Sequence, residues 1–258
     1  MAPEIQELTL HSTIESFESE PLGTVPRGWE DVESAWVAEL DGARALEIAD
    51  ASTSVLARAS LSAEPASTRS LEFRVRPITL PNALLFDVDG TDATGADAAV
   101  YHLSIEEDGR IRRYDAPTAT WTDVADPGTV DVTTDTTIRL VAGLGSATLC
   151  VNEVAVAQVA PSLPDPMALG GTTFASAGTA TVGDDVRIDD VWLADTVTDC
   201  TIERPPEVAE PGYDTAAPGR ARREPAPCVC GGRPVLLPLL LALSRRRVTP
   251  AAVPAAGP

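Results

Sequence analysis

Four aspartates crowd one stretch of this chain: Asp87, Asp89, Asp92 and Asp97 in DVDGTDATGAD. Carboxylates on a loop are the hard oxygen ligands that Ca2+ takes, so Asp87, Asp89 and Asp92 form a candidate calcium set. The spacing opens like an EF-hand loop, but Asp92 stands at the sixth position, where the sharp turn needs glycine. The cluster also reads as a solvated, Asp-rich turn. Asp189-Asp190 is a second acidic pair. Strict alternation would put Val186, Ile188, Asp190 and Trp192 on one face. Either a bulge breaks that alternation, or a carboxylate points inward and needs a partner or a metal. Asp190 therefore joins the candidate metal ligands. Acid–base and nucleophilic chemistry has less to draw on. The two histidines, His11 and His102, lie far apart in sequence, and no Gly-x-Ser-x-Gly turn is present. His102 falls on the polar side of its strand beside Ser104 and Glu106, a solvated position.

Flat aromatic faces stack on ligand rings, and Tyr114 and Trp121 sit in neighbouring strand segments near a loop end. They are the candidate ligand-binding pair. Trp29, Trp36 and Trp192 are expected in the core, the usual place for large aromatics. Of four cysteines, Cys150 and Cys200 lie in the main body and Cys228 and Cys230 near the C-terminus. In an exported chain Cys150 and Cys200 could form a disulfide that ties the last strand's exit to the body; otherwise they are independent thiols.

The elements that would position these residues are strands, because a period of two dominates and no helical stripe stands out. In LEFRVRP, Leu71, Phe73 and Val75 face one way and Glu72, Arg74 and Arg76 the other, with Pro77 ending the strand. YHLSIEEDGRIRRYD reads as a hairpin: Tyr101, Leu103, Ile105 and Ile111 line one face, and Asp108-Gly109 makes the turn. Residues 137–159 continue the meander with turns near Gly143–Gly145 and at Asn152-Glu153, and VRIDDVWL is the closing strand. Short strands at regular spacing predict an all-β antiparallel sandwich.

Charge divides the chain. Residues 1–200 hold 34 of the 39 acidic and 11 of the 19 basic residues, a net of −23. That surface repels nucleic acid, which needs clustered Arg or Lys. Residues 201–258 are weakly basic and hold half of the 22 prolines. The expected layout is a lead-in or edge strand over 1–12, a sandwich over 13–200, a Pro-rich linker over 201–227, a tag over 228–247 and a tail over 248–258.

Two resemblances refine this outline. FESEPLGTVPRGWE, then Trp36, the DG hairpin, Trp121, a strand ending VNE and the closing IDDVWL follow in an order that resembles the concanavalin A-like lectin/glucanase superfamily. This is the jelly roll shared with laminin-G-like domains. FES…GW and IDDVWL also resemble galactose-binding-like jelly rolls of carbohydrate-binding modules. Either resemblance implies a sandwich that takes glycans or extracellular-matrix sugars. Laminarinase-like jelly rolls carry a Glu-x-Asp-x-x-Glu motif; Glu39-Leu40-Asp41 begins it, but Arg44 replaces the second Glu and Asp41-Gly42 reads as a turn. The expectation is a non-enzymatic recognition or adhesion module, with a secreted glycan-active hydrolase as the alternative.

The C-terminus resembles the MYXO-CTERM sorting tag of myxobacterial surface proteins. Cys228 and Cys230 precede the apolar run VLLPLLLALS, which stops at Arg245, Arg246 and Arg247. An apolar run followed by arginines partitions into a membrane with its charge on the cytoplasmic side, and the cysteines mark a site for lipid attachment or a sorting protease. The tag implies cell-surface, outer-membrane or secreted localisation. Export needs a signal that MAPEIQELTL does not show, which an upstream start would supply. Without one, the chain stays cytoplasmic.

Overall fold

The computed structural model describes residues 12–177, 182–195 and 199–201. Two compact units divide the chain, Met1–Val208 and Ala209–Pro258, and every described residue belongs to the first. The linker beyond Thr201, Cys228, Cys230, Arg245, Arg246, Arg247, the tail and His11 lie outside the described residues.

Fifteen strands follow one another, with no helix among the described residues. The first five are β1 (Ser12–Glu15), β2 (Trp29–Glu33), β3 (Ala35–Leu40), β4 (Ala43–Ala49) and β5 (Arg58–Leu61). Then come β6 (Thr68–Thr79), β7 (Ala83–Thr91), β8 (Asp97–Glu106), β9 (Ile111–Asp115) and β10 (Thr120–Ala125). The last are β11 (Thr136–Gly143), β12 (Ala147–Val151), β13 (Val154–Val159), β14 (Ala168–Ser176) and β15 (Asp185–Ala194). One sheet runs β13-β12-β11-β6-β15-β4-β3, with β1 also paired to β15, and the other runs β10-β9-β8-β7-β14-β5-β2. All pairings between named strands are antiparallel, so the protein is a two-sheet sandwich of the jelly-roll kind.

Alternation decides what lies between the sheets. Leu71, Phe73 and Val75 of β6 are fully buried, as are Leu103, Ile105 and Ile111 across the Asp108-Gly109 hairpin. Phe73 packs edge-on against Phe86 and Phe174 of the opposite sheet, at 5.2 and 4.9 Å between ring centroids. Such pairs add about 0.5–1.5 kcal/mol each to the area they bury. Tyr101 is buried in the same core and donates its hydroxyl to the Gly143 carbonyl at 2.5 Å, tying β8 to the end of β11. At Asn152-Glu153 both residues take positive φ, 47° and 67°, the two-residue turn whose twist suits a hairpin.

Three expectations need correction. Pro77 does not end β6, which runs to Thr79. The proline falls where β11 has already stopped pairing, at Val75, and where β15 carries an irregularity between Asp185 and Val186. Its missing N–H therefore breaks no ladder toward β11. Trp36 is only partly buried, because β3 is the sheet's edge and Trp36 lies on its outer side opposite Glu47. Trp192 is buried, but not between the sheets. A bulge between Asp189 and Trp192, with Asp190 at φ 52°, adds a residue and flips the phase. Val186 and Ile188 before it, and Val191 and Leu193 after it, all face the core.

Trp192 thus joins a second, smaller cluster on the outer face of the eight-stranded sheet. The register sets Cys150 opposite Arg139, Arg139 opposite Glu72, and Glu72 opposite Trp192. Arg139 Nε donates to Glu72 Oε2 at 2.6 Å, and its Nη1 donates to the Asp199 carbonyl at 2.8 Å. Its guanidinium carbon lies 5.8 Å from the centre of the Trp192 ring. Asp199–Thr201 forms a strap over this cluster, and Cys200 closes it in a disulfide to Cys150 with 5.7 Å between Cα atoms.

Candidate functional site

The outer face of the seven-stranded sheet carries one residue per strand in a single register row. Trp121 of β10 pairs with Tyr114 of β9. The β8–β9 ladder stops one step earlier, at Leu103 opposite Arg113, and the next residue, His102, sets its ring 5.5 Å from Tyr114. His102 pairs with Asp87 of β7, and Asp87 pairs with Thr173 of β14. Thr173 pairs with Ser60 of β5, and Ser60 with Glu30 of β2. Strands about 4.8 Å apart make this row about 29 Å long, crossing every strand of the sheet.

At one end, three rings touch. Trp121 lies 5.3 Å from Tyr114 and 5.0 Å from His102, centroid to centroid, and each ring is partly exposed. In the middle, Asp87 Oδ1 meets His102 Nδ1 at 2.6 Å. His102 is therefore not a solvated residue: its side chain is 23% exposed, and its ring is fixed by a carboxylate on the neighbouring strand. Burial pulls the imidazole pKa down, but the hydrogen bond to Asp87 and the charges of Asp87 and Asp89 outweigh it, and the net shift is upward. Burial pushes the Asp87 carboxyl up against the opposing pull of His102.

Asp89 lies one step along β7 on the same outer face. Thr173 donates its hydroxyl to Asp89 Oδ2 at 2.8 Å and shares a 2.9 Å hydrogen bond with Ser60. Burial first, then the charge of Asp87, push the Asp89 pKa up to about 6. A groove of about 550 Å3 opens here, lined by Glu30, Asp31, Ser60, Asp89, Asp97 and Thr173 among others. Gly90, Gly170 and Gly171 are among its lining residues, where neighbouring backbone approaches closely. A Cβ on Gly171 would stand 2.0 Å from the Leu61 carbonyl oxygen, and one on Gly90 2.0 Å from that of Ala168. Gly170 and Gly171 fall within the irregularity that β14 makes against β7 between Leu169 and Thr172.

The proposed calcium set does not assemble. Asp87 and Asp89 belong to β7, not to a loop, and the turn between β7 and β8 is only Asp92–Ala96. Asp92 Oδ1 accepts hydrogen bonds from the Thr94 amide and hydroxyl and from the Ala96 amide, which closes the turn on itself. Asp190 lies on the other sheet, 3.2 Å from Arg74 Nη2, beside Asp189, which also binds that guanidinium. Among the described residues, no three His, Cys, Asp or Glu side chains gather as a metal site would require. Tyr114 and Trp121 do come together. His102, Thr173 and Ser60 complete the row, and local sequence carried no signal for them, because their partners lie on other strands. Glu39 lies near the end of β3, just before a turn in which Asp41 and Gly42 take positive φ. Asp87 and Asp89 share a face of β7, about 7 Å apart along the strand.

The same sandwich recurs in solved structures. A sialidase is 14% identical, with TM-score 0.54 over 72% of this chain; the match spans 18% of the sialidase's length. The cellulose-induced protein Cip1 is 12% identical, with TM-score 0.54 over 73% of this chain and 99% of its own. At this identity the likeness establishes the fold, and it agrees with a concanavalin A-like jelly roll at the level of a two-sheet antiparallel sandwich. No family model matches the sequence, and a search of curated proteins finds no match.

Proposed function

We propose that this chain is a non-enzymatic recognition module that binds glycans on the outer face of its seven-stranded sheet. The observation that carries this reading is the row itself, in which three contacting rings run directly into hydroxyls and carboxylates above a glycine-lined groove. Sugar rings present an apolar face for stacking and a rim of hydroxyls for hydrogen bonds, and the row offers both in sequence. Its length suits an oligosaccharide laid across the strands. The test is binding to a broad glycan array by wild type and Trp121→Ala. Selective binding that Trp121→Ala reduces at least tenfold supports the module; absence of any glycan ligand refutes it.

The module is displayed on the outside of the cell by the C-terminal tag, through a sorting protease and the membrane. The Cys150–Cys200 disulfide fits passage through an oxidising compartment. Fractionation with mass spectrometry of the C-terminus tests this. A surface protein processed near Cys228 or Cys230 is expected, and a cytoplasmic chain intact to Pro258 overturns it.

A second reading rests on Asp87 and Asp89. Two acids share one strand face, Asp89 with its pKa raised to about 6 and Asp87 also pushed up by burial, and a pair of carboxyl groups is what a glycosidase uses. The tight bond between Asp87 and His102 favours binding over catalysis, since it occupies the base. Release of reducing ends from bound glycans, abolished by Asp89→Asn, would establish the hydrolase instead.

A further inference from the structure

We infer that the groove selects an amine-bearing saccharide, a glucosamine-type unit, over neutral and acidic sugars. The inference rests on the reading that this face takes glycans, and it names which chemical class. The rings, the hydroxyls and the glycine lining make the site; its charge chooses the ligand. Glu30, Asp31, Asp87, Asp89 and Asp97 line the groove, and among the described residues no basic side chain does.

The distribution of counter-charges sharpens the point. Arg74, Arg76, Arg110, Arg112, Arg113, Arg139 and Arg187 are all bound to carboxylates elsewhere on the sandwich. Of the groove acids, Asp87 alone has a cationic partner in contact among the described residues, His102. Asp89 receives a single hydroxyl donor, from Thr173, and Glu30 one from Ser62. Arg58 shares the outer face but lies one step beyond Ser60 along β5, exposed and outside the groove. A partly buried carboxylate flanked by others is held in an unfavourable state, which a protonated amine relieves by Coulomb attraction and donated hydrogen bonds. A sugar carboxylate in the same place would face the opposite sign of that field. A ring stacked at Tyr114 and Trp121 begins a chain whose later units cross Asp87 and Asp89, about 14 Å away at three strand spacings.

Oligomers with a common backbone separate charge from shape. Full-length protein is titrated calorimetrically with a glucosamine hexamer, its fully N-acetylated counterpart and a galacturonate hexamer at neutral pH. The glucosamine hexamer should bind about tenfold more tightly than the acetylated one, and the preference should shrink as salt rises from about 20 to about 300 mM. Asp89→Asn with Glu30→Gln should bring the ratio of the two affinities toward one. Trp121→Ala should weaken the glucosamine hexamer while leaving spermine, a polyamine without sugar rings, unaffected. Equal or tighter binding of the acetylated or galacturonate hexamer overturns the inference but leaves the glycan module standing. An unchanged glucosamine affinity in Trp121→Ala also overturns it, because attraction to the acidic surface would then suffice. Failure of all three hexamers and of every glycan on the array removes the module reading itself.

Discussion

Replacing Asp89 with asparagine should stabilise the protein at neutral pH, and the gain should fade in acid. The folded carboxyl titrates at about 6, against 3.8 for an unburdened one, because burial and the neighbouring Asp87 both disfavour its charge. Between these two values the folded chain holds a proton that the unfolded chain releases, so stability falls as pH rises through the window. A gap of about two units at about 1.4 kcal/mol each gives a cost of about 3 kcal/mol at pH 7 and under about 1 kcal/mol at pH 4. Asparagine keeps an oxygen to accept the Thr173 hydroxyl, now at 2.8 Å from Asp89 Oδ2, and carries no charge. Urea unfolding of wild type and Asp89→Asn at several values between pH 4 and 7 isolates the effect as a difference. That difference should grow with pH toward about 3 kcal/mol as an upper bound. A difference that is flat across the range, or that favours wild type at pH 7, would refute the assignment of Asp89 as a strained, partly buried acid.

Three further outcomes follow from the packing. Cys150→Ser with Cys200→Ser opens a 50-residue loop and should cost about 4 kcal/mol in denaturant unfolding, the chain-entropy value for that length. Glu72→Gln alone removes the carboxylate charge beside the nearly buried Arg139 guanidinium, each side chain being 7% exposed, and should cost about 3–5 kcal/mol. Glu72→Leu with Arg139→Met should recover much of that loss, which a double-mutant cycle by urea unfolding reads. Gly171→Ala drives a Cβ to 2.0 Å from the Leu61 carbonyl and should lower stability by on the order of 3 kcal/mol in thermal unfolding.

Most of the strand framework was readable, because one buried face imposes a two-residue period. Leu71, Phe73 and Val75, the Asp108-Gly109 turn and the Asn152-Glu153 turn all behave as their local chemistry dictates. At Asp189-Asp190 the broken alternation left two alternatives, a bulge or an inward carboxylate, and the structure has the bulge, whose inserted residue reverses every later orientation in β15. The site was legible at its aromatic end and, by residue type though not by role, at Asp87 and Asp89. Tyr114 and Trp121 announce themselves by type, but the bond between Thr173 and Ser60 joins residues 113 positions apart. Nothing in a run of hydroxyls says which strand will lie beside it. His102 looked solvated because its partner, Asp87, comes from the adjacent strand through a register that turn residues alone do not specify.

The disulfide over the outer sheet also has a mechanical meaning. Tension on the chain beyond Thr201 reaches Cys200 first, and the covalent bridge hands it to Cys150 in β12. The segment between them, including β13, β14 and β15, drops out of the load path. Thr173 and the Gly170-Gly171 segment lie inside that shielded loop. A pull that would otherwise peel β15 from its neighbours is diverted into shear along β12, so the groove wall built from β14 would keep its shape while the protein is held by its C-terminal end.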